Sequence, residues 1–149
     1  MSEIKVVPYI PDEDYDNPAM VVDFYEFTMA NCLFLNGFKD TCAEKYPNLK
    51  VVAELNHEGE VVKAETVTLS ALQQNPEIDI VFVCEGLGAT GAASAVRSMN
   101  MGDSVKVIAS DFNTSTNELM TNGEVAATIV DDPYFIGWNA FLQVWSGAH

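Results

Sequence analysis

The chain has 149 residues, enough for one domain with a real core, because a domain of that size buries about two-thirds of the surface its unfolded chain exposes. A hydrophobic fraction of 48% with 19% charged residues describes a globular protein, neither disordered nor fibrous. The 22 acidic residues against 7 basic ones give a formal charge of -15, which repels phosphate backbones and anionic lipid surfaces and leaves nucleic acid out as an expected partner.

The first segment, to about Asn17, is acidic and carries Pro8 and Pro11, with Pro18 following, so it reads as an extended lead-in. It lacks the basic start and continuous apolar stretch of a secretory signal, so either a leader has been removed or the chain stays in the cytoplasm. No run reaches membrane-spanning length, and no membrane insertion is expected. From Pro18 to Tyr46 apolar and aromatic residues, including Met20, Phe24, Phe27, Leu33 and Phe34, fall at spacings that suit a helical face. Asn36-Gly37 divides this stretch into two expected helices, the second ending before Pro47.

Beyond that point strand and helix alternate. Leu49 to Leu55 is a strand run and Glu60 to Gln74 has helical periodicity. Strand Ile78 to Cys84 precedes helix Ala89 to Met101, and strand Val105 to Ala109 precedes helix Thr114 to Asn122. Strand Val125 to Val130 then leads into helix Tyr134 to Trp145. The β-branched runs at 78–83 and 105–109 suit strands covered on both faces, so the expected fold is a three-layer α/β/α domain with a parallel sheet of about four strands. The expected division is an N-terminal extension over 1–36 and a lobe over 37–149.

In such sheets ligands sit outside the carboxyl ends of the strands. Three of those ends are polar: Glu85-Gly86, Ser110-Asp111-Phe112-Asn113 and Asp131-Asp132-Pro133-Tyr134. Carboxylates that accept hydrogen bonds from hydroxyls, beside aromatic surface from Phe112, Tyr134, Phe135 or Trp138, suit a sugar or polyol. Glu85, Asp111, Phe112, Asp131 and Tyr134 are therefore the candidate ligand-binding residues. Asp132, directly before Pro133 and a helical pattern, reads as a helix cap, while Thr114 or Ser115 is the expected cap of the preceding helix and leaves Asp111 available.

Gly86-Leu87-Gly88-Ala89-Thr90-Gly91 has the Gly-x-Gly-x-x-Gly spacing of a dinucleotide-binding turn, with Asp111 where a ribose-binding acid would stand. The alternative, close helix-on-sheet packing through small residues, is the preferred reading, and no cofactor is expected. Cys32, Cys42 and Cys84 show no metal-ligand spacing. His57, in a polar turn, and the terminal His149 read as solvated, and no Gly-x-Ser-x-Gly elbow is present. Binding without catalysis is the simpler account.

Several phrases carry a family resemblance: Gly37-Phe38-Lys39-Asp40, Tyr46-Pro47-Asn48-Leu49-Lys50-Val51-Val52, Leu72-Gln73-Gln74-Asn75-Pro76-Glu77-Ile78-Asp79, and Gly123-Glu124-Val125-Ala126-Ala127-Thr128 running into Asp132-Pro133-Tyr134. In their order the chain resembles the C-terminal lobe of periplasmic sugar-binding proteins of the ribose-binding type, a fold shared with the effector domains of lactose-repressor-like regulators. The resemblance implies a two-lobed ancestor that closes on its ligand. It also implies ligand contacts from an Asn-Asp pair at the positions of Glu85 and Gly86, an Asp at Asp111 and a Gln at Asp131. Asp111 keeps the family residue, whereas Gly86 and Asp131 depart from it.

A second, shorter likeness lies at Asn17 to Asn31, where Asp23-Phe24-Tyr25 resembles the amino-terminal motif of nicotinate phosphoribosyltransferases; the rest of that enzyme has no counterpart here. The leading expectation is thus a non-catalytic solute-binding lobe for a small polar ligand such as a sugar, in an ABC-transporter-type system, with an absent N-terminal lobe or self-association completing it. An effector-binding or dimerisation module of a regulator, and a phosphoribosyltransferase-related fragment or chimera, are the alternatives.

Overall fold

The computed structural model describes the backbone of residues 19–24 and 29–147, and side chains from 35 to 146. The lead-in before Pro18, Tyr25 and His149 lie outside the described residues.

Strands and helices alternate throughout: β1 (Ala19–Phe24), α1 (Met29–Lys45), β2 (Lys50–Asn56), α2 (Val61–Gln74), β3 (Ile78–Val83), α3 (Gly86–Ser98), β4 (Lys106–Ser110), α4 (Thr114–Thr121), β5 (Ala127–Ile129) and α5 (Pro133–Gly147). The strands form one parallel sheet in the order β2-β1-β3-β4-β5. The α/β architecture matches the expectation, with five strands in place of about four.

The additional strand is β1, in a segment whose apolar spacing predicts helix. Met20-Val21-Val22, rich in β-branched residues, can pair on both sides, with β2 from Ala19↔Lys50 to Phe24↔Asn56 and with β3 from Ala19↔Ile78 to Asp23↔Val83. Those long-range ladders override the local pattern. The expected break at Asn36-Gly37 is also absent, since α1 runs through it. A Cβ at Gly37 would meet nothing within 4 Å, so glycine there costs the helix only its intrinsic propensity, about 1 kcal/mol.

The core is divided by the sheet. On one face α2 and α3 pack Ala71, Leu72, Ala89, Ala92 and Val96 against Val81, Val83 and Val107, with Leu119 of α4 beside them. Each fully buried valine contributes roughly 1.5–3 kcal/mol of apolar burial. On the other face Leu35 and Phe38 of α1 cover Ile80, Phe82 and Cys84, and the Phe38 and Phe82 rings stack with centroids 4.2 Å apart.

Candidate functional site

β1 leads to β2 on one side while β3, β4 and β5 follow on the other, so the chain reverses direction across the sheet between β1 and β3. The crevice outside the carboxyl ends of such strands is where open α/β sheets bind ligands. The polar strand ends expected from the sequence lie along this rim, and they are not equivalent.

At the end of β3, Glu85 adopts an extended backbone and caps α3. Its Oε2 accepts from Leu87 N–H at 2.9 Å and its Oε1 accepts from Gly88 N–H. His57, at the end of β2, lies beneath the same carboxylate with Nε2 3.1 Å from Oε1. That contact joins the two backbone donors in favouring the charged carboxylate. Gly59 N–H donates to His57 Nδ1 at 3.1 Å, which places the proton of a neutral ring on Nε2, facing Glu85. Burial by itself raises the Glu85 carboxyl pKa, but His57 and the two backbone donors outweigh it and hold the group below its ordinary 4.5.

His57 is fully buried, which corrects its reading as a solvated turn residue. The turn Asn56-His57-Glu58-Gly59 folds back under α3, with Glu58 and Gly59 at positive φ. Gly88 leaves the room, because a Cβ there would stand 2.7 Å from Val83 Cγ1 and 2.9 Å from His57 Nε2. Gly91 serves closeness as well: a Cβ would lie 2.5 Å from the Val61 carbonyl oxygen on α2. The glycine-rich turn is therefore a packing device. The amide donors that would greet a phosphate at the start of α3 are already held by Glu85. The helix consequently starts at Gly86, three residues before the expected Ala89.

The ends of β4 and β5 differ. Asp111 sits at φ 71, a left-handed conformation uncommon outside glycine. Its N–H donates to the Ile129 carbonyl at 2.9 Å, and its own carbonyl accepts from Thr128 Oγ1 at 2.8 Å. β5 thus fixes the Asp111 backbone. Asn113, and neither Thr114 nor Ser115, caps α4 through Thr116 N–H at 2.9 Å, so the Asp111 carboxylate is not needed as a cap. Asp132 caps α5, as expected, by accepting from Phe135 N–H at 3.1 Å.

What remains is an open depression of about 270 Å³ lined by Asp111, Phe112, Val130, Asp131 and Pro133. Phe112 is 52% exposed. Neither Asp111 nor Asp131 donates or accepts through its side chain among the described residues. Three of the five sequence-derived candidates are therefore gathered. Tyr134 stands next to the depression on α5, while Glu85 is taken up inside the fold one strand away. The departure at Gly86 is also explained, because any Cβ there would collide with the Asn113 side chain. The missing side chain at Gly88 is the one signal along the chain that bears on the His57–Glu85 pair.

Residues 19–146 match the model of a periplasmic binding protein domain. The D-allose-binding periplasmic protein of Escherichia coli (strain K12) is 28% identical over 94 residues, 63% of this chain and 30% of that protein. Among solved structures, AraP, an arabinose-binding protein from Geobacillus stearothermophilus, is 28% identical with a TM-score of 0.73, over 76% of this chain and 39% of that one. A carbohydrate transporter solute-binding protein from Agrobacterium radiobacter, in complex with D-arabinose, is 26% identical with a TM-score of 0.76, over 88% of this chain and 44% of that one. The chain thus spans less than half the length of these relatives, and the matches carry neither the regulator likeness nor the phosphoribosyltransferase likeness. No described helix is long and apolar enough to cross a membrane. With β1 inside the matched span and the parallel sheet it completes, the chain belongs to the periplasmic binding protein domain family.

Proposed function

We propose that this lobe binds a sugar or polyol, without turnover, in the depression at the ends of β4 and β5, as half of an ABC-transporter-type solute-binding site. The observation that carries the reading is the grouping of two carboxylates with no partner among the described residues, Asp111 and Asp131, beside the exposed ring of Phe112. Carboxylates accept from paired hydroxyls, and an aromatic face covers the apolar side of a pyranose or furanose ring. Tyr134 extends the aromatic edge. Glu85 contributes by holding the start of α3 in place, with its oxygens turned to backbone donors. We further propose that the lobe begins at β1, which moves the division expected at residue 37 to the start of the sheet.

The relatives support the substrate class, being sugar-binding proteins by name, one of them holding D-arabinose. A half-site open to water binds weakly, with dissociation constants expected at about the millimolar level. The test is a calorimetric titration with a panel of pentoses, hexoses and polyols, on the wild type and on Asp111→Ala. Saturable heat that Asp111→Ala abolishes is the expected result; a folded wild type silent across the panel refutes it.

A further inference from the structure

The first residue of α3 has no side chain, and the space that one would fill at Gly86 is taken from the neighbouring strand end. A Cβ there would stand 2.4 Å from Asn113 Nδ2 and 3.6 Å from Asp111 Cβ. The Asn113 carboxamide and the Asp111 side chain therefore flank one point on the rim, between the ends of β3 and β4. Gly86 lies buried beneath that point, and Asn113 and Asp111 are exposed around it.

The two ends of the carboxamide have different tasks. Oδ1 accepts from Thr116 N–H at 2.9 Å and caps α4, which settles which end of the group is oxygen and which is nitrogen. Nδ2 is not needed for the cap and donates to no group among the described residues. Asn, Asp and Ser cap helices about equally well, yet of the three only Asn also brings an N–H₂ group to the rim.

The depression next to it has the opposite chemistry. The ionised side chains of Asp111 and Asp131 accept and cannot donate, and Phe112, Val130 and Pro133 add apolar surface. Carboxylates alone hold a protonated amine as readily as a hydroxyl, because both bring donors. A hydroxyl or a sugar ring oxygen also has lone pairs to offer; an ammonium has none, and before an N–H₂ group it sets donor against donor.

Resting on the sugar-binding reading of this depression, we infer that Asn113 is a specificity-determining residue. Its Nδ2 donates to an oxygen of the ligand while Asp111 accepts from a neighbouring hydroxyl, and that donor tunes an otherwise acceptor-lined site toward neutral sugars and away from aminated ones. The end of β3 has no side chain to give, since Glu85 is turned to backbone donors and Gly86 is bare. Asn113 supplies, from the connection after β4, the contact which that strand end lacks.

The test separates the donor from the cap. Asn113→Ser and Asn113→Asp both retain a capping oxygen, so both are expected to melt like the wild type, and the first adds no charge. Each is titrated beside the wild type by NMR with D-arabinose, D-glucose, D-galactose and D-allose, and with the 2-amino-2-deoxy counterpart of each. In Asn113→Ser, neutral sugars are expected to bind about three- to tenfold more weakly, the worth of one neutral hydrogen bond, with a smaller loss for the amino sugars. In Asn113→Asp, neutral sugars are expected to lose about tenfold or more while amino sugars hold or gain, because an acceptor has replaced the donor. Equal losses for neutral and amino sugars overturn the inference, since a disturbed cap does that. Neutral-sugar binding unchanged in Asn113→Ser also overturns it and leaves the sugar site at Asp111 standing. A folded wild type silent to every sugar removes both.

Discussion

Three neighbouring strand ends carry acidic residues, and the fold uses them in two opposite ways. At the end of β3, Glu85 is consumed by the protein itself: backbone N–H groups on one side, a buried histidine beneath, and a glycine that lets them approach. At the ends of β4 and β5, Asp111 and Asp131 have their backbone or flanking cap positions arranged by other residues, and their carboxylates face the solvent. An acid at a strand end is thus a ligand candidate only after the helix following it has been capped by something else. Asn113 and Asp132 do that capping for α4 and α5; nothing but Glu85 does it for α3.

The contrast breaks most easily at Glu85. Glu85→Ala removes the cap, worth about 1–2 kcal/mol, and strands the buried His57 Nε2, worth about 1–3 kcal/mol more. Thermal unfolding is expected to show a loss of about 2–5 kcal/mol. If Glu85 instead served ligand alone, stability would stay within about 0.5 kcal/mol of wild type.

Acid provides a graded version of the same test. The folded Glu85 carboxyl titrates below its ordinary 4.5, so its contribution is present above that value and is lost as pH falls through the folded pKa. A melting series from neutral pH downward is expected to fall less steeply in Glu85→Gln than in wild type over that acidic range. Parallel curves would detach Glu85 from the acid sensitivity.

The smallest expected effect has the opposite sign. Asp111→Gly relieves a left-handed residue, so stability should rise by about 1 kcal/mol while sugar binding disappears. A variant that is more stable and still binds would show that the Asp111 carboxylate is not part of the site.

From β2 onward the architecture was readable because the β-branched runs at 78–83 and 105–109 are surrounded by helical periodicity. β1 was not, since Ala19 to Phe24 is short, merges with an aromatic-rich segment and owes its extended form to partners that begin at Lys50 and Ile78. The same distinction governs the site. Asp111, Phe112 and Asp131 follow from strand ends alone, whereas His57 becomes meaningful only once β2 and β3 stand on either side of β1 and bring it under Glu85. Spacing along the chain cannot register a contact that a third strand creates.

The central place of β1 also has a consequence for assembly. β2 and β3 are joined through α2 yet do not touch as strands; each keeps an unpaired inner edge until β1 lies between them. The units from β3 to β5 can form by neighbour-to-neighbour growth, but the sheet becomes continuous only when this early segment is inserted lengthwise, hydrogen-bonding on both sides at once. Chains caught before that step expose two sticky edges, and it is there that misassembly and proteolysis would begin.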